Sequence, residues 1–596
     1  VESVYLKRDM KMEVNMTDKN TISLKASKGA GAMLGAAFGD ALGWPNERVI
    51  RSTPKQPQGQ LYSFKEWRRR SGGRFFPYEE IISEGEYSDD TQLILCLSRS
   101  LLKEEVWWEH FTQIELPFWS VYERGGGGAT KRAVESWLNG TAPWSSKRKP
   151  LDVKRYFDAG GNGVAMRVLP HVLRLNEKDF PEIAANIFLD GIATHGHPRA
   201  LLGALAYGFA LWSAFHKESK LAYGELVDDL IQHVEIWSAL PLQPTVLTEW
   251  RTQAENSLPA YMKFWESARI EIMDYLGVCQ AELSKGALSL DDDVLEKLQC
   301  FNYQISGAGT VAAIAAIYLA SRHAADPING VVKAAFTIGA DTDTIASMTG
   351  GLLGCINGYD WLSSVKHGIQ DAGYIEQNAL RLIRGDVDFN PIPKPVRKFS
   401  LKTWTDNILT VPDSSEVKLP DCRRAKVSCG SDYIGRNGKF KVEFRRLDTE
   451  DGQSIYLNKI SKVLRKATTD SLTLNNMAYQ QSFLPSRGCG PKIPVALFAS
   501  AIWFYRDCLG LTVKKQNSEM VVFDQGLVLV PQSYLHGVQF RAMIYIQATN
   551  IAERFRLIKE NKLQIVTELG SWGKSEIPFF RCLDPDGNIV EIFLTD

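Results

Sequence analysis

Apolar residues recur at the 3.6-residue period of a helix along most of the first 385 positions, in stretches at 92–103, 107–121, 129–138, 164–175, 181–194, 198–216, 224–238, 262–276, 309–323, 328–337 and 344–356. Strand-like alternation is nearly absent there, which predicts an all-α domain of about ten to thirteen helices over residues 28–385. Residues 29–43 form a helix of small residues that must pack closely against a neighbour, ended by Gly43 and Pro45. Residues 1–27 are polar and irregular and read as a mobile N-terminal tail. After 386 the pattern breaks at Pro391, Pro393 and Pro395, and the alternation Lys439-Phe440-Lys441-Val442-Glu443-Phe444 suggests strands, so 386–490 reads as a connecting segment with some β structure. From 491 to 596 short strands and helices alternate: strands near 493–498, 513–515, 520–523 and 527–530 with a helix at 500–509, then strands at 543–546 and 588–593 with a helix at 550–562. The expectation is a multidomain protein, all-α first, then a smaller α+β domain with a duplicated βαβββ order.

Two polar clusters interrupt the helical pattern. Ser88-Asp89-Asp90-Thr91 and Asp341-Thr342-Asp343-Thr344 each stand directly before an apolar run. Ser, Thr and Asp at a helix start cap free backbone N–H groups, and that accounts for one residue of each cluster. Four in a row, twice, exceed what capping uses. Carboxylates brought together raise one another's pKa unless a cation lies between them, and oxygen ligands without His or Cys suit magnesium or manganese rather than zinc. The two clusters are therefore read as halves of one metal site.

Glycine marks the other interruptions: Gly125-Gly126-Gly127-Gly128, Gly160-Gly161-Asn162-Gly163 and Gly307-Ala308-Gly309. Such loops let backbone amides approach a ligand, and the first two lead into helices whose N-termini favour an anion. His195 and His197 precede another helix. Residues 61–78 mix Trp67, Phe75, Phe76 and Tyr78 with Arg68, Arg69, Arg70 and Arg74. Basic and aromatic side chains together can stack on bases and hold phosphates; a solvated loop with its aromatics tucked into the core is the equal alternative.

Composition narrows the field. At 596 residues the chain is too long for one core. Lys+Arg and Asp+Glu both number 69, so no net charge advertises a nucleic-acid or membrane partner. The nine cysteines are scattered without a C-x-x-C, which fits a reducing cytoplasm better than a disulfide framework. Cys422, Cys429 and Cys489 have no histidine nearby and read as thiols rather than a zinc knuckle. No signal-peptide core and no membrane-length apolar run is found, so the expected location is cytoplasmic.

Gly39-Asp40-Ala41-Leu42-Gly43 with Glu47, then Ser88-Asp89-Asp90-Thr91, Gly161-Asn162-Gly163-Val164-Ala165-Met166-Arg167, Thr194-His195 and Gly339-Ala340-Asp341-Thr342-Asp343-Thr344 resemble, in order, the motifs of the ADP-ribosylglycohydrolase family, which includes the dinitrogenase reductase-activating glycohydrolases. The match spans about 28–365. The resemblance implies an all-helical hydrolase with two Mg2+ or Mn2+ ions that removes ADP-ribose from an acceptor. It implies that Ser88, Asp89, Asp90 and Asp343 hold one metal and Asp341, Asp343, Thr344 and Glu47 the other, with Asp343 bridging. Gly160, Gly161 and Asn162 would lie along the diphosphate and ribose, His195 against the phosphate or distal ribose, and Gly125, Gly126, Gly127 and Gly128 near the adenosine side. Glu47, Asp89, Asp90 and Asp343 are the expected catalytic residues. Ser88 for the commoner Thr and Ala340 for a frequent Gly are the departures, and no expected metal ligand is missing, unlike in the inactive crystallin-like members.

Phe504-Tyr505-Arg506-Asp507-Cys508-Leu509-Gly510-Leu511 and Asp584-Pro585-Asp586-Gly587-Asn588 through Glu591 make the C-terminal part similar to a glyoxalase/bleomycin-resistance, or vicinal-oxygen-chelate, module. Of the four metal ligands such modules use, only Glu591 stands where one is expected; Val495, Leu497 and Val528 are apolar. A binding or docking module without metal is the expectation.

The primary reading is hydrolysis of ADP-ribose from a modified protein, Arg-linked. Alternatives are a nucleic-acid or small-molecule acceptor, with the Arg68–Arg74 lip as its contact, an ADP-ribose sensor or scaffold without turnover, and a C-terminal lyase or drug-binding module regulated by the helical part.

Overall fold

The computed structural model describes residues 16–47, 49, 63–72, 76–241, 246–430, 432–434, 440–462, 492–495, 498–516, 521–523, 527–531, 543–548, 550–561, 563–571, 578–584 and 589–594. The chain divides into two compact units, 1–465 and 466–596.

Apart from a β-hairpin at 67–82, the described part of the first unit is helical through residue 384, and the helices that position its polar clusters and glycine loops are α1 (Met16–Gly43), α2 (Asp89–Leu101), α3 (Gly128–Leu138), α4 (Pro198–His216), α5 (Gly309–Arg322) and α6 (Thr342–Asn357). α1 starts at Met16, so residues 16–27 belong to a helix, a correction to the expected tail; residues 1–15 lie outside the described residues. The small-residue face of α1 does pack closely, and α6 is its partner. Gly31, Gly35, Gly39 and Gly43 are four residues apart and so share one face. A Cβ at Gly39 would lie 2.0 Å from the Ala346 carbonyl oxygen, and one at Gly35 2.3 Å from that of Gly350. The two backbones therefore touch with no side chain between them. The helices run antiparallel, and at the end of this contact the Thr342 hydroxyl donates to the Gly43 carbonyl at 2.9 Å. The chain leaving α1 is thereby set beside the N-terminus of α6.

Helices at Pro150–Phe157, Val246–Ser257, Asp291–Lys297 and Ala372–Arg384 escaped the periodic reading. The expected helix at 107–121 is interrupted by a wide turn at Phe111–Glu115. There Glu115 forms a fully buried ion pair with Arg99 of α2 at 2.7 Å.

Residues 386–462 are more than a connector. They hold α7 (Lys398–Ile408) and an antiparallel sheet of β3 (Glu416–Lys418), β4 (Arg424–Cys429), β5 (Tyr433–Ile434), β6 (Phe440–Thr449) and β7 (Ser454–Lys462), which follow a hairpin of β1 (Trp67–Ser71) and β2 (Tyr78–Ile82) earlier in the chain. Val427, Leu447, Ile455 and Leu457 belong to the same apolar core as the helices. The prolines broke helical periodicity without breaking the core. Residues 463–491 lie outside the described residues.

The second unit contains two four-stranded sheets, β8-β11-β10-β9 and β12-β15-β14-β13, where β8 is Lys492–Val495, β9 Val513–Gln516, β10 Val521–Phe523, β11 Val528–Pro531, β12 Met543–Ala548, β13 Ile565–Ser571, β14 Pro578–Leu583 and β15 Ile589–Leu594. Each sheet has one parallel pair, β8 with β11 and β12 with β15. Each half carries one helix between its first two strands, α8 (Phe498–Trp503) and α9 (Ile551–Glu560). This is the duplicated βαβββ order expected from the sequence. Among the described residues no helix is long and apolar enough to cross a membrane.

Candidate active site

The contact of α1 with α6 brings the two acidic clusters together although about 250 residues separate them in sequence. Asp40, on α1 and fully buried, organises the first cluster. Its carboxylate accepts from the Ser88 amide at 3.0 Å, the Thr91 amide at 3.0 Å and the Thr91 hydroxyl at 2.6 Å. Ser88 caps α2 by accepting from the Asp90 amide at 3.3 Å. The clusters meet where the Thr344 hydroxyl donates to Asp90 Oδ2 at 3.3 Å. Asp341 Oδ2 accepts from the Asn162 side-chain amide at 2.9 Å, so Asn162, expected along the ribose, also holds a carboxylate of the second cluster.

Asp89, Asp90 and Asp343 are buried, and their carboxyls are held well above the usual range, first by burial and then by one another's neighbours: Glu123, Asp40 and Glu47 for Asp89; Asp40, Asp89 and Asp341 for Asp90; Glu47, Asp341 and Asp90 for Asp343. Burial raises Asp40 too, although its hydrogen bonds from Thr91 and Ser88 pull the other way. Glu47 and Asp341 are half-buried, as is Gly160-Gly161-Asn162-Gly163, and these residues form the open side of the cluster.

Among the described residues no three carboxylate, histidine or cysteine side chains converge as a preformed cation cage. One Asp343 oxygen is instead turned to the Thr344 amide at 3.0 Å. The donor set nevertheless fits a hard divalent cation: the oxygens belong to carboxylates and hydroxyls, and Asp90 Oδ1 is buried with no hydrogen-bond partner.

The glycine loops close around this cluster. Gly125 has φ +112°, and a Cβ there would stand 2.7 Å from Asp89 Oδ1, so only glycine lets the loop lie against that carboxylate. The Gly126 amide donates to Glu123 at 2.9 Å, and Gly127 and Gly128 are exposed at the start of α3. The second loop is pinned to the third by the Asn162 amide on the Gly307 carbonyl at 2.9 Å and the Gly309 amide on the Gly160 carbonyl at 3.0 Å. A Cβ at Gly160 would lie 3.1 Å from His197 Nδ1, and one at Gly161 3.9 Å from His195 Nε2. His195 is 2 % exposed, and burial first, then Arg167 and Arg132, lower its pKa to about 3.

Three residues that sequence reasoning left out of the site belong to its frame. Asp40 was legible as a lone carboxylate inside an apolar helix, and Glu123 carried no signal. Arg124, next to Gly125, donates to Glu80 at 3.0 Å and Glu86 at 2.6 Å, and its guanidinium lies 4.0 Å from the centre of the Tyr456 ring on β7. The sheet thus braces both the Gly125 loop and the segment leading into Ser88. The Tyr87 hydroxyl and the Ser454 amide both donate to Asp371, at 2.7 and 2.9 Å, which adds a second tie.

Two of the arginines of the basic lip are ion-paired, and Arg70 is exposed. Arg68 pairs with Glu79 at 3.1 Å and Arg69 with Glu80 at 3.2 Å across the β1–β2 hairpin. Trp67 packs edge-on to Trp44, Phe76 to Phe440 and Tyr78 to Phe444. These aromatics are tucked in, as in the second of the two expectations; Phe75 and Arg74 lie outside the described residues. In the second unit Glu591 is buried and accepts from Arg581 at 2.7 Å, its register partner on β14. The side chain in the position of a metal ligand is occupied by an internal cation.

The ADP-ribosylglycohydrolase family model matches residues 21–388, and the model described as Glyoxalase/Bleomycin resistance protein/Dioxygenase superfamily matches 491–592. The chain is 25 % identical over 347 residues to an uncharacterized protein, YegU, of Escherichia coli strain K12, covering 56 % of this chain and 89 % of that one. A solved structure titled ADP-ribosylglycohydrolase-related protein complex is 19 % identical, with a TM-score of 0.39 and coverage of 61 % of this chain and all of that one (100 %). A lactoylglutathione lyase structure from Agrobacterium tumefaciens is 20 % identical with a TM-score of 0.16, covering 19 % of this chain and 95 % of that one. With the acidic clusters and glycine loops assembled over the span of the first family model, the chain belongs to the ADP-ribosylglycohydrolase family and carries a glyoxalase-type domain at its C-terminal end.

Proposed function

We propose that this protein is a divalent-metal-dependent hydrolase that releases ADP-ribose from a modified acceptor, most simply an Arg-linked ADP-ribosylated protein. The observation that carries the reading is the buried group Asp89, Asp90 and Asp343, whose carboxyls are raised by burial and by other carboxylates, with Asp90 Oδ1 left unpaired. Ser88, Asp89, Asp90 and Asp343 would hold one Mg2+ or Mn2+, and Glu47, Asp341, Asp343 and Thr344 the other. Bound there, the ions supply chelation of ribose hydroxyls and a water of lowered pKa.

The chain's own residues do the rest. The glycosidic bond breaks through an oxocarbenium-like ribose, which needs orientation and a delivered water. The half-buried Gly160–Gly163 loop would lie along the diphosphate and ribose, and the Gly125–Gly128 loop at the start of α3 near the adenosine side. Asp40 holds the Ser88–Thr91 segment from behind, and Asn162 holds Asp341 on the open side. Glu47, Asp89 and Asp90 are the groups placed to pass a proton toward the leaving group. Arg68 and Arg69, being ion-paired, favour a protein acceptor over nucleic acid, whose affinity comes mainly from phosphate contacts.

The test is release of ADP-ribose from Arg-linked and Ser-linked protein and from modified DNA and RNA, with magnesium or manganese and with EDTA. Metal-dependent release from Arg-linked protein is the expected result. Release from nucleic acid alone would overturn the acceptor, and tight ADP-ribose binding without release from any substrate would overturn the hydrolase.

A further inference from the structure

A cavity of about 510 Å³ lies among the helix at Phe180–Ile192, α4 and the helix at Glu225–Gln232. α4 begins at Pro198 beside the second glycine loop, where a Cβ at Gly160 would meet Arg199 Cβ at 3.4 Å, and it lines the cavity with Phe209 and Trp212. At the rise of an α-helix, roughly 15–20 Å of α4 separates the two places. The cavity is therefore distinct from the acidic clusters.

Its walls are of two kinds. Phe180, Phe209 and Trp212 make an aromatic corner, with ring centroids 5.0 Å apart for Phe180 and Phe209, 5.6 Å for Phe209 and Trp212 and 6.0 Å for Phe180 and Trp212. Among the described residues the acidic groups lining it are Asp179, Asp229 and Glu235, and no lysine or arginine lines it. Asp229 accepts from the Ser213 hydroxyl at 2.7 Å, whereas Asp179 makes no capping hydrogen bond and no ion pair among the described residues. Lys178, next to Asp179, pairs instead with Glu182 at 3.1 Å. Arg269 reaches Glu235 only at 3.9 Å and is held by Glu266 at 2.6 Å. His233 Nδ1 lies 2.8 Å from the Asp229 carbonyl oxygen, which only accepts, so Nε2 of the neutral ring is a further acceptor in the lining.

These walls select a ligand by charge and shape. Carboxylates without an internal counter-ion attract a cation, and the faces of aromatic rings do the same. A bare metal ion does not suit the cavity, because no three carboxylate, histidine or cysteine side chains converge among the described residues. The carboxylates are spread over three elements, and an apolar corner stands between them and the core. We infer that the cavity is a second ligand site, for an organic cation whose amidinium, guanidinium or ammonium head faces Asp179 and Asp229 and whose apolar body lies against Phe209 and Trp212. The site stands independently of the ADP-ribose reading.

The test is titration calorimetry of the full chain at low salt with saturating magnesium, using benzamidine, its neutral isostere benzamide and the anion benzoate as probes. Benzamidine should bind with a Kd of about 0.1–1 mM, and the other two at least about tenfold more weakly. Asp229→Asn should weaken benzamidine about tenfold and Trp212→Leu about three- to tenfold. Asp179→Asn, which loses no hydrogen bond within the fold, should weaken it about threefold and keeps the test sound if either of the other variants fails to fold. Asp343→Ala should leave benzamidine affinity unchanged. No benzamidine binding up to about 10 mM, or equal binding of benzamide or benzoate, overturns the inference. So does affinity lost in Asp343→Ala but kept in Asp179→Asn and Trp212→Leu, which would put the cation at the acidic clusters.

Discussion

Two kinds of buried carboxylate lie in the first unit, and they titrate in opposite directions. Glu115 is as buried as Asp343, yet although burial pushes its carboxyl up, Arg99 at 2.7 Å more than offsets this and holds it below the ordinary value. Asp190 behaves likewise, with Arg167 at 2.9 Å. Asp89, Asp90 and Asp343 sit among carboxylates and are held high. A buried charge paired inside the protein belongs to the fold, whereas a buried charge whose pairing must come from outside belongs to the site. Glu591 of the second unit, paired with Arg581, falls on the structural side of that divide.

The comparison breaks hardest at Asp343, the bridging ligand of the proposed function. Asp343→Ala should lose activity by more than about 10³-fold and lose magnesium binding by titration calorimetry, while its thermal unfolding stays near wild type, because a buried repelling charge has been removed. Wild-type turnover by that variant would end the assignment. Arg99→Met should do the reverse: it strands Glu115 and costs about 3–5 kcal/mol in denaturant unfolding, with metal affinity kept by whatever fraction remains folded.

The paired group also predicts a pH signature. Glu115 has a folded pKa below its unfolded value near 4.3, so its contribution is fully present above about that pH and disappears as the pH falls through the lower, folded value. Glu115→Gln should flatten the acid limb of stability below about pH 4 relative to wild type, read by thermal melts across pH.

Smaller effects sharpen the border between the two classes. Asn162→Ala removes the donor on Asp341 and should weaken metal affinity about 10–100-fold, with little change in melting temperature. Tyr456→Ala, distant in sequence and outside the span matched by the ADP-ribosylglycohydrolase model, should lower kcat/KM by roughly 2–30-fold through loss of the ring under Arg124, whereas Tyr456→Phe should keep most of it.

Much of the fold, and the grouping of residues at the candidate site, was legible in the sequence for physical reasons. Long amphipathic helices announce themselves by period, and clustered Asp with hydroxyl residues at helix starts exceeds what capping requires. The close packing of the 29–43 helix followed from its lack of side chains. What stayed hidden depends on distance in space. Glu123 and Arg124 have no local pattern, and their roles arise only from what Gly125 and Tyr456 bring beside them. The sheet at 416–462 was blurred because its strands are short or half-polar, and because their buried residues complete a core made mostly by helices. At the arginine lip the charges are evident in sequence, whereas the glutamates that pair Arg68 and Arg69 come from the partner strand of a hairpin.

The glycine face between α1 and α6 has a further meaning for the proposed metal centre. A joint made of backbone alone has no rotamers, so the spacing between the end of α1 and the start of α6 is held without spending side-chain entropy. Metal–oxygen distances tolerate errors of only about 0.2 Å. Gly39→Ala, whose new methyl would meet the Ala346 carbonyl at 2.0 Å, would push apart the two halves of a site it never touches. The helix pair would act as the gauge block against which the proposed ligand sphere is set.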